Sequence, residues 1–354
     1  MKSNKFFLAL FTASVLFVSC NGDDDSNAPL GSYDNGILVL NEGGSTSGAA
    51  VTYISNDLQT VQQDIFTAVN GDDETIGQFP QSLFFDGDRA FIISNGSNRI
   101  TVVNRYTFAK LGEITTGLMV PRYGVVYNGK AYITNSNTFN EPAGATDDFI
   151  TVVDLATLAV TATIPVNNRA ERIVEENGKL YVSGGFFGSG NVITVIDASN
   201  NQIATTINVG TAPNSLEESE GVLYVLCSSW DGPSKILRIS LSNNQIIGET
   251  TFSGSMGNAQ NLDVEDGWAY FTVGPNIYKV DANSNEIGNA PFIQTGSTSG
   301  YIGYGFAVNG GRIYIAEGAD DFSSDGKVFV YSENNGALLK QIPAGLGPNG
   351  FYFN

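Results

Sequence analysis

From residue 35 onward the chain is a succession of short apolar runs, rich in β-branched residues and each closed by polar turn residues. None is long enough, or spaced with the right period, to make a sustained amphipathic helix, so the pattern predicts strands. A turn dipeptide precedes one run in each repeat: Asn35-Gly36, Asp86-Gly87, Asn128-Gly129, Asn177-Gly178, Glu220-Gly221, Asp266-Gly267 and Asn309-Gly310. Asn-Gly and Asp-Gly tolerate the positive φ angles of a tight two-residue hairpin, and seven such sites predict seven hairpins. Six of the strands that follow carry an aromatic at one position, Phe91, Tyr132, Tyr181, Tyr224, Tyr270 and Tyr314, where the first repeat has Val39. A regular aromatic of this kind is expected to pack between neighbouring sheets.

A second series lies further along each repeat: 51–55, 100–104, 150–154, 193–197, 236–240, 277–281 and 328–332, typified by Ile-Thr-Val-Val-Asp. With one more strand after it, each repeat holds four short strands in roughly 40 to 50 residues, the spacing of a propeller blade. The first repeat begins at its second strand, 37–41, while 348–353 forms a strand with no hairpin of its own. Pairing these two would close a ring and remove the sheet edges. The expected fold is therefore all-β, a seven-bladed β-propeller of four-stranded blades over residues 35–354. A pair of β-sandwiches is the alternative.

In such a ring one face carries the tight turns and the other the long connections. The latter are 136–148, 184–190, 228–234 and 318–325 between second and third strands, and 68–79 and 294–303 between blades. Long loops on one side of a rigid scaffold are where binding concentrates. These bring Phe79, Phe139, Phe186, Phe187, Trp230, Tyr301, Tyr304 and Phe322 to that face, with Tyr123 at the start of an inner strand nearby. Some would fold inward as anchors and the rest would offer stacking area. Arg122, Arg169 and Arg172 start inner strands in a chain poor in cations. They would either line the channel mouth or pair with the surplus acids. Glu42 and Glu317 end second strands, with Asn95 and Asn135 placed alike, a ring of oxygens able to hold Ca²⁺. No spacing motif supports that ring, so no metal is assigned, and no cofactor is implied.

The charge balance narrows the partners. The chain carries 36 acidic against 17 basic residues, no histidine, and a net charge of −19. Such a surface opposes nucleic acid. Without histidine there is no His-based triad, HExxH zinc site or His-ligated haem. Residues 1–19, with Lys2 and Lys5 ahead of an apolar run, resemble a lipoprotein signal cleaved before Cys20. Its loss would bring the net charge to −21. Cys20 would then carry the lipid, and the polar stretch to residue 34 would serve as a tether. Its Asp23-Asp24-Asp25 run resembles the export signal of Bacteroidetes-type surface lipoproteins, which places the protein on the outer membrane facing outward. Cys227, the only other cysteine, is expected to be a buried filler.

The Ile-Thr-Val-Val-Asp strands and the stretch 129–135 are similar to YVTN-type propellers. Residues 39–43, Asn70-Gly71, Ile76-Gly77 and Pro121-Arg122-Tyr123 further resemble propeller lipoproteins of the Bacteroidetes type. Some of that group capture cobalamin and pass it to a TonB-dependent outer-membrane transporter. The resemblance implies a binding protein for a small amphipathic ligand, a corrinoid first, rather than an enzyme. Two other classes stay open: an adhesion or scaffolding propeller, and a Ca²⁺-dependent lactonase- or lyase-like enzyme using Glu42 or Glu317 as base.

Overall fold

The computed structural model describes residues 29–45, 48–138, 147–185, 189–229, 232–254 and 256–354. It contains seven separate four-stranded antiparallel sheets, each a blade of a β-propeller. Blade two is typical, with strands Pro80–Asp86, Arg89–Ser94, Arg99–Asn104 and Lys110–Ile114. The first strands of neighbouring blades touch one another around the whole ring, so they line the axis. The described hydrophobic core is divided into seven clusters, one between each pair of adjacent blades.

Strand Pro348–Phe353 supplies the first strand of blade one and pairs with Gly36–Asn41, placing Phe353 opposite Ile37 and Phe351 opposite Val39. The ring is thus closed by strand Pro348–Phe353 joining the blade that Gly36–Asn41 begins. Arg105 donates to Asn354 Oδ1 and to Phe353 O, both at 2.8 Å, fastening that strand to blade two. Asn35-Gly36 consequently opens no hairpin, and six two-residue turns join first to second strands rather than seven. Five of them hold positive φ at both residues: the four from Asn128-Gly129 to Asp266-Gly267, and Gly310-Gly311. In blades two and seven the turn falls one residue later, at Gly87-Asp88 and Gly310-Gly311, because the ladder closes on Asp86–Arg89 and Asn309–Arg312.

The recurrent aromatic packs between blades as expected. Phe91, Tyr132, Tyr181 and Tyr270 are fully buried, and Tyr132 donates to Ala198 O of the next blade at 3.0 Å. In blade one the register places Leu38, not Val39, at this position: Leu38 faces Tyr53 as Tyr132 faces Val152. The aromatic bulk has moved to Tyr53, which packs edge-on to Tyr33 with ring centres 5.3 Å apart. Tyr33, ahead of the first strand, is already buried.

Blade one also has a last strand of only two residues, Val61–Gln62. A one-turn helix, Ile65–Asn70, capped by Asp64, buries Ile65 and Phe66 beside it. Cys227 lies fully buried between blades four and five, where burial pushes its thiol up to about 12. It is an inert packing residue.

Candidate functional site

Each inner strand starts on the face that carries the longer connections. In blades two and three the start is a proline, Pro80 and Pro121, and the preceding residue turns the chain inward. Phe79 and Val120 do this with φ of +50° and +49°. Both are non-glycine residues in the left-handed region, one is β-branched, and a following proline further disfavours the compact backbone. Their carbonyls accept from Asn95 N and Ser136 N, both at 3.1 Å, which holds the turns in place.

These two residues line a cavity of about 620 Å³ at the mouth of the axis. Blade two contributes Gln81, Asn95 and Asn98, blade three Arg122 and Tyr123, blade four Arg172, blade seven Tyr304, and blade one Glu42 and Asn349. An amide chain organises one wall: Asn95 donates to Gln81 Oε1 at 3.1 Å, and Gln81 donates to the Tyr123 hydroxyl at 2.9 Å. Asn98 Oδ1 receives the Val120 N–H at 2.7 Å. Asn349 donates to Pro80 O at 2.8 Å, while its buried Oδ1 accepts no hydrogen bond among the described residues. An unmet buried acceptor is costly unless something donates to it.

The charges divide into spent and unspent. Arg122 Nε and Nη2 meet Glu171 Oε2 and Oε1 at 2.8 and 2.7 Å, a bidentate pair with both residues buried. Burial opposes the Arg122 charge, but the Glu171 carboxylate outweighs it and holds the guanidinium above its ordinary pKa. Arg172 stays in the cavity wall, its guanidinium carbon 4.2 Å from the Tyr123 ring centre. Glu42 accepts from the Tyr304 hydroxyl; burial pushes its carboxyl above the ordinary value against the pull of Tyr304 and Arg122. Deeper along the axis, burial and the nearby Asp263 carboxylate raise Glu217, and burial pushes Asp263 up to about 6.

Of the aromatics expected on this face, Tyr301, Tyr304 and Phe322 meet in one edge-to-face cluster, with ring centres 4.5 to 6.2 Å apart. Tyr304 joins that cluster to the cavity, and Tyr301 is exposed. Phe322 too sits at positive φ, +46°. Cys20, Phe139, Phe186, Phe187 and Trp230 lie outside the described residues. The 228–234 connection is shorter than expected, because the strands run Val222–Ser229 and Gly232–Ser240 and leave only two residues between them.

The expected ring of acid and amide oxygens does not form. Glu317 is the last residue of its ladder, as Asn41 and Asn135 are of theirs, whereas Glu42 lies one residue beyond. Glu317 sits instead in a second cavity of about 530 Å³, where Ser297 donates to it and Lys327 Nζ lies 2.9 Å away. Asn135 is consumed by the strand ends, donating to Ile133 O and Thr151 Oγ1. Among the described residues no group of three or more Asp, Glu, Cys or His is placed to hold a metal.

The sequence profile of a domain of unknown function, DUF5074, matches residues 35–353, nearly the whole propeller. The chain belongs to the DUF5074 family. No curated protein matches it in sequence. Among solved structures, this DUF5074 protein is similar to the periplasmic gluconolactonase PpgL of Pseudomonas aeruginosa, with a TM-score of 0.66 at 12% identity over 90% of this chain and 98% of that one. It is also similar to Kuenenia stuttgartiensis hydrazine synthase, with a TM-score of 0.63 at 16% identity over 77% and 88%. Apo AztD from Citrobacter koseri gives 0.53 at 11% identity over 89% and 96%. At these identities the likeness is one of fold. The left-handed Phe79 and Val120 and the open Asn349 acceptor carry no sequence signature, since each depends on how inner strands enter the ring.

Proposed function

We propose that this DUF5074 protein is a lipid-anchored capture module at the cell surface. It holds a small amphipathic ligand at the mouth of the propeller and passes it to a TonB-dependent transporter in the outer membrane. The observation that carries this reading is the cavity at the axis, walled by Phe79, Tyr123 and Tyr304 and lined by amides. Its volume falls within the range of ligand pockets, and rigid inner strands preorganise it. The left-handed backbone at Phe79 and Val120 lies where a ligand would sit, a placement in keeping with strain at functional sites.

A corrinoid is the favoured ligand. It is a flat macrocycle fringed with carboxamides, which suits aromatic walls, the amide chain from Asn95 to Tyr123, and the open Asn349 acceptor. It exceeds the cavity in size, so it would lie across the face with one edge in the mouth and contact the Tyr301–Phe322 cluster.

Calorimetric titration with cobalamin, its precursors, haem and oligosaccharides tests the reading. Micromolar or tighter corrinoid binding is expected, with Tyr123→Ala or Tyr304→Ala weakening it by about 1 to 3 kcal/mol. Trp268→Ala, an exposed aromatic on the opposite, tight-turn face, should have no effect. Absence of corrinoid binding would remove the ligand assignment. For the anchor, Cys20→Ser should release the protein from the membrane fraction, and unchanged, salt-resistant membrane association would contradict lipidation at that residue.

A further inference from the structure

The cavity is unevenly provided with charge. The protein as a whole is strongly acidic, at −19, and repels anions at long range. Of the two guanidiniums in the lining, Arg122 is paired with Glu171 through Nε and Nη2. The other, Arg172, donates no hydrogen bond from its guanidinium among the described residues and has no carboxylate within ion-pair distance. Its backbone N–H is tied to Ser183 Oγ at 3.0 Å, and its charged end rests over the Tyr123 ring at 4.2 Å. Glu217 acts on it only at longer range. Tyr123 adds a second donor, because its hydroxyl accepts from Gln81 and, among the described residues, gives its own proton to nothing.

A half-buried guanidinium whose donors are unspent, held in place by a ring and next to a free hydroxyl donor, is built to receive oxygen anions. From this geometry we infer that the ligand of the central cavity carries an anionic oxygen group, a phosphate or a carboxylate, which seats on Arg172 with Tyr123 as co-donor. The inference rests on the capture reading and narrows its ligand class. The remaining walls, Phe79, the amides, and Tyr304 with the Glu42 carboxyl to which it donates, would take the uncharged body of the ligand. Arg172 is therefore the residue that sets selectivity for charge, and the acidic surface would reject anions that cannot reach it.

Three ligand pairs test this with the full chain. Cobalamin carries a phosphodiester, and cobinamide has the same macrocycle without it. In parallel, phenyl phosphate and benzoate are compared with uncharged benzamide by ligand-detected NMR titration. The anionic member of at least one pair should bind the wild type more tightly than its neutral counterpart. Arg172→Gln should reduce that binding tenfold or more while leaving the neutral ligand unchanged. Arg172→Lys should recover part of the loss, and both variants should keep the wild-type melting temperature. Phenyl phosphate against benzoate then separates phosphate from carboxylate. If phenyl phosphate or benzoate shows the Arg172-dependent gain and neither corrinoid binds, the anion seat stands and the corrinoid assignment falls. If corrinoids bind, Arg172→Gln changes cobalamin and cobinamide equally or not at all, and neither phenyl phosphate nor benzoate shows an Arg172-dependent gain, the seat falls and capture stands. If no anionic probe outbinds its neutral partner in the wild type, the inference is overturned.

Discussion

Phe79 and Val120 share one unusual arrangement: each sits in the left-handed region one residue before the proline that opens an inner strand, and the two lie side by side in the sequence order of blades along one cavity wall. Such a backbone at a β-branched residue costs on the order of 1 kcal/mol or more. The ring holds it because the Val120 carbonyl is bonded by Ser136 N and its own N–H by Asn98.

Val120→Asn should therefore stabilise the protein. Asparagine tolerates this conformation, and the gain expected is about 2 °C or more in melting temperature. A calorimetric scan that shows a fall would mean the position is not strained.

The acids along the axis predict a pH dependence. Burial pushes Asp263 up to about 6 from an unfolded value near 3.8, so the folded state holds its proton more tightly. Ionising Asp263 thus costs stability: the cost is absent below about pH 4, grows as pH rises through 4 to 6, and is complete above 6. Asp263→Asn, which keeps an acceptor for the Val308 N–H, should raise the melting temperature by a few degrees at pH 7.5 and by nothing near pH 4. An equal shift at both pH values would contradict an ionisation effect.

The Arg122–Glu171 pair joins blade three to the entry of blade four, both groups being buried. Removing one partner leaves a buried charge without compensation, so Arg122→Met or Glu171→Leu alone should cost about 3 kcal/mol or more in denaturant unfolding. The double substitution should recover most of it. Additive losses would show that the two residues do not act as a pair.

Much of the ring was legible in the sequence because tight hairpins need particular residues: Asn128-Gly129 and its counterparts mark real turns. Where a blade lacks the usual marks, the pattern misleads by one residue. Blade one has no aromatic at the recurrent position, so the spacing sets Val39 where Leu38 belongs and brings Glu42 level with Glu317. The arginines illustrate a different limit. Their place at the starts of inner strands is readable, but only packing decides that Arg122 pairs with an acid while Arg172 stays in the cavity wall. Tyr301, Tyr304 and Phe322 were expected on one face, and their contact with one another depends on how the 318–325 connection folds back.

The central claim is that ligand is held at the mouth of the axis, and hydrogen–deuterium exchange with and without cobalamin tests it most directly. The account predicts slowed exchange in the segments around Phe79, Val120 to Tyr123 and Tyr301 to Tyr304, with the tight turns at Asn128-Gly129, Asn177-Gly178 and Asp266-Gly267 unchanged. Protection confined to those turns, or no protection under saturating cobalamin, would contradict it.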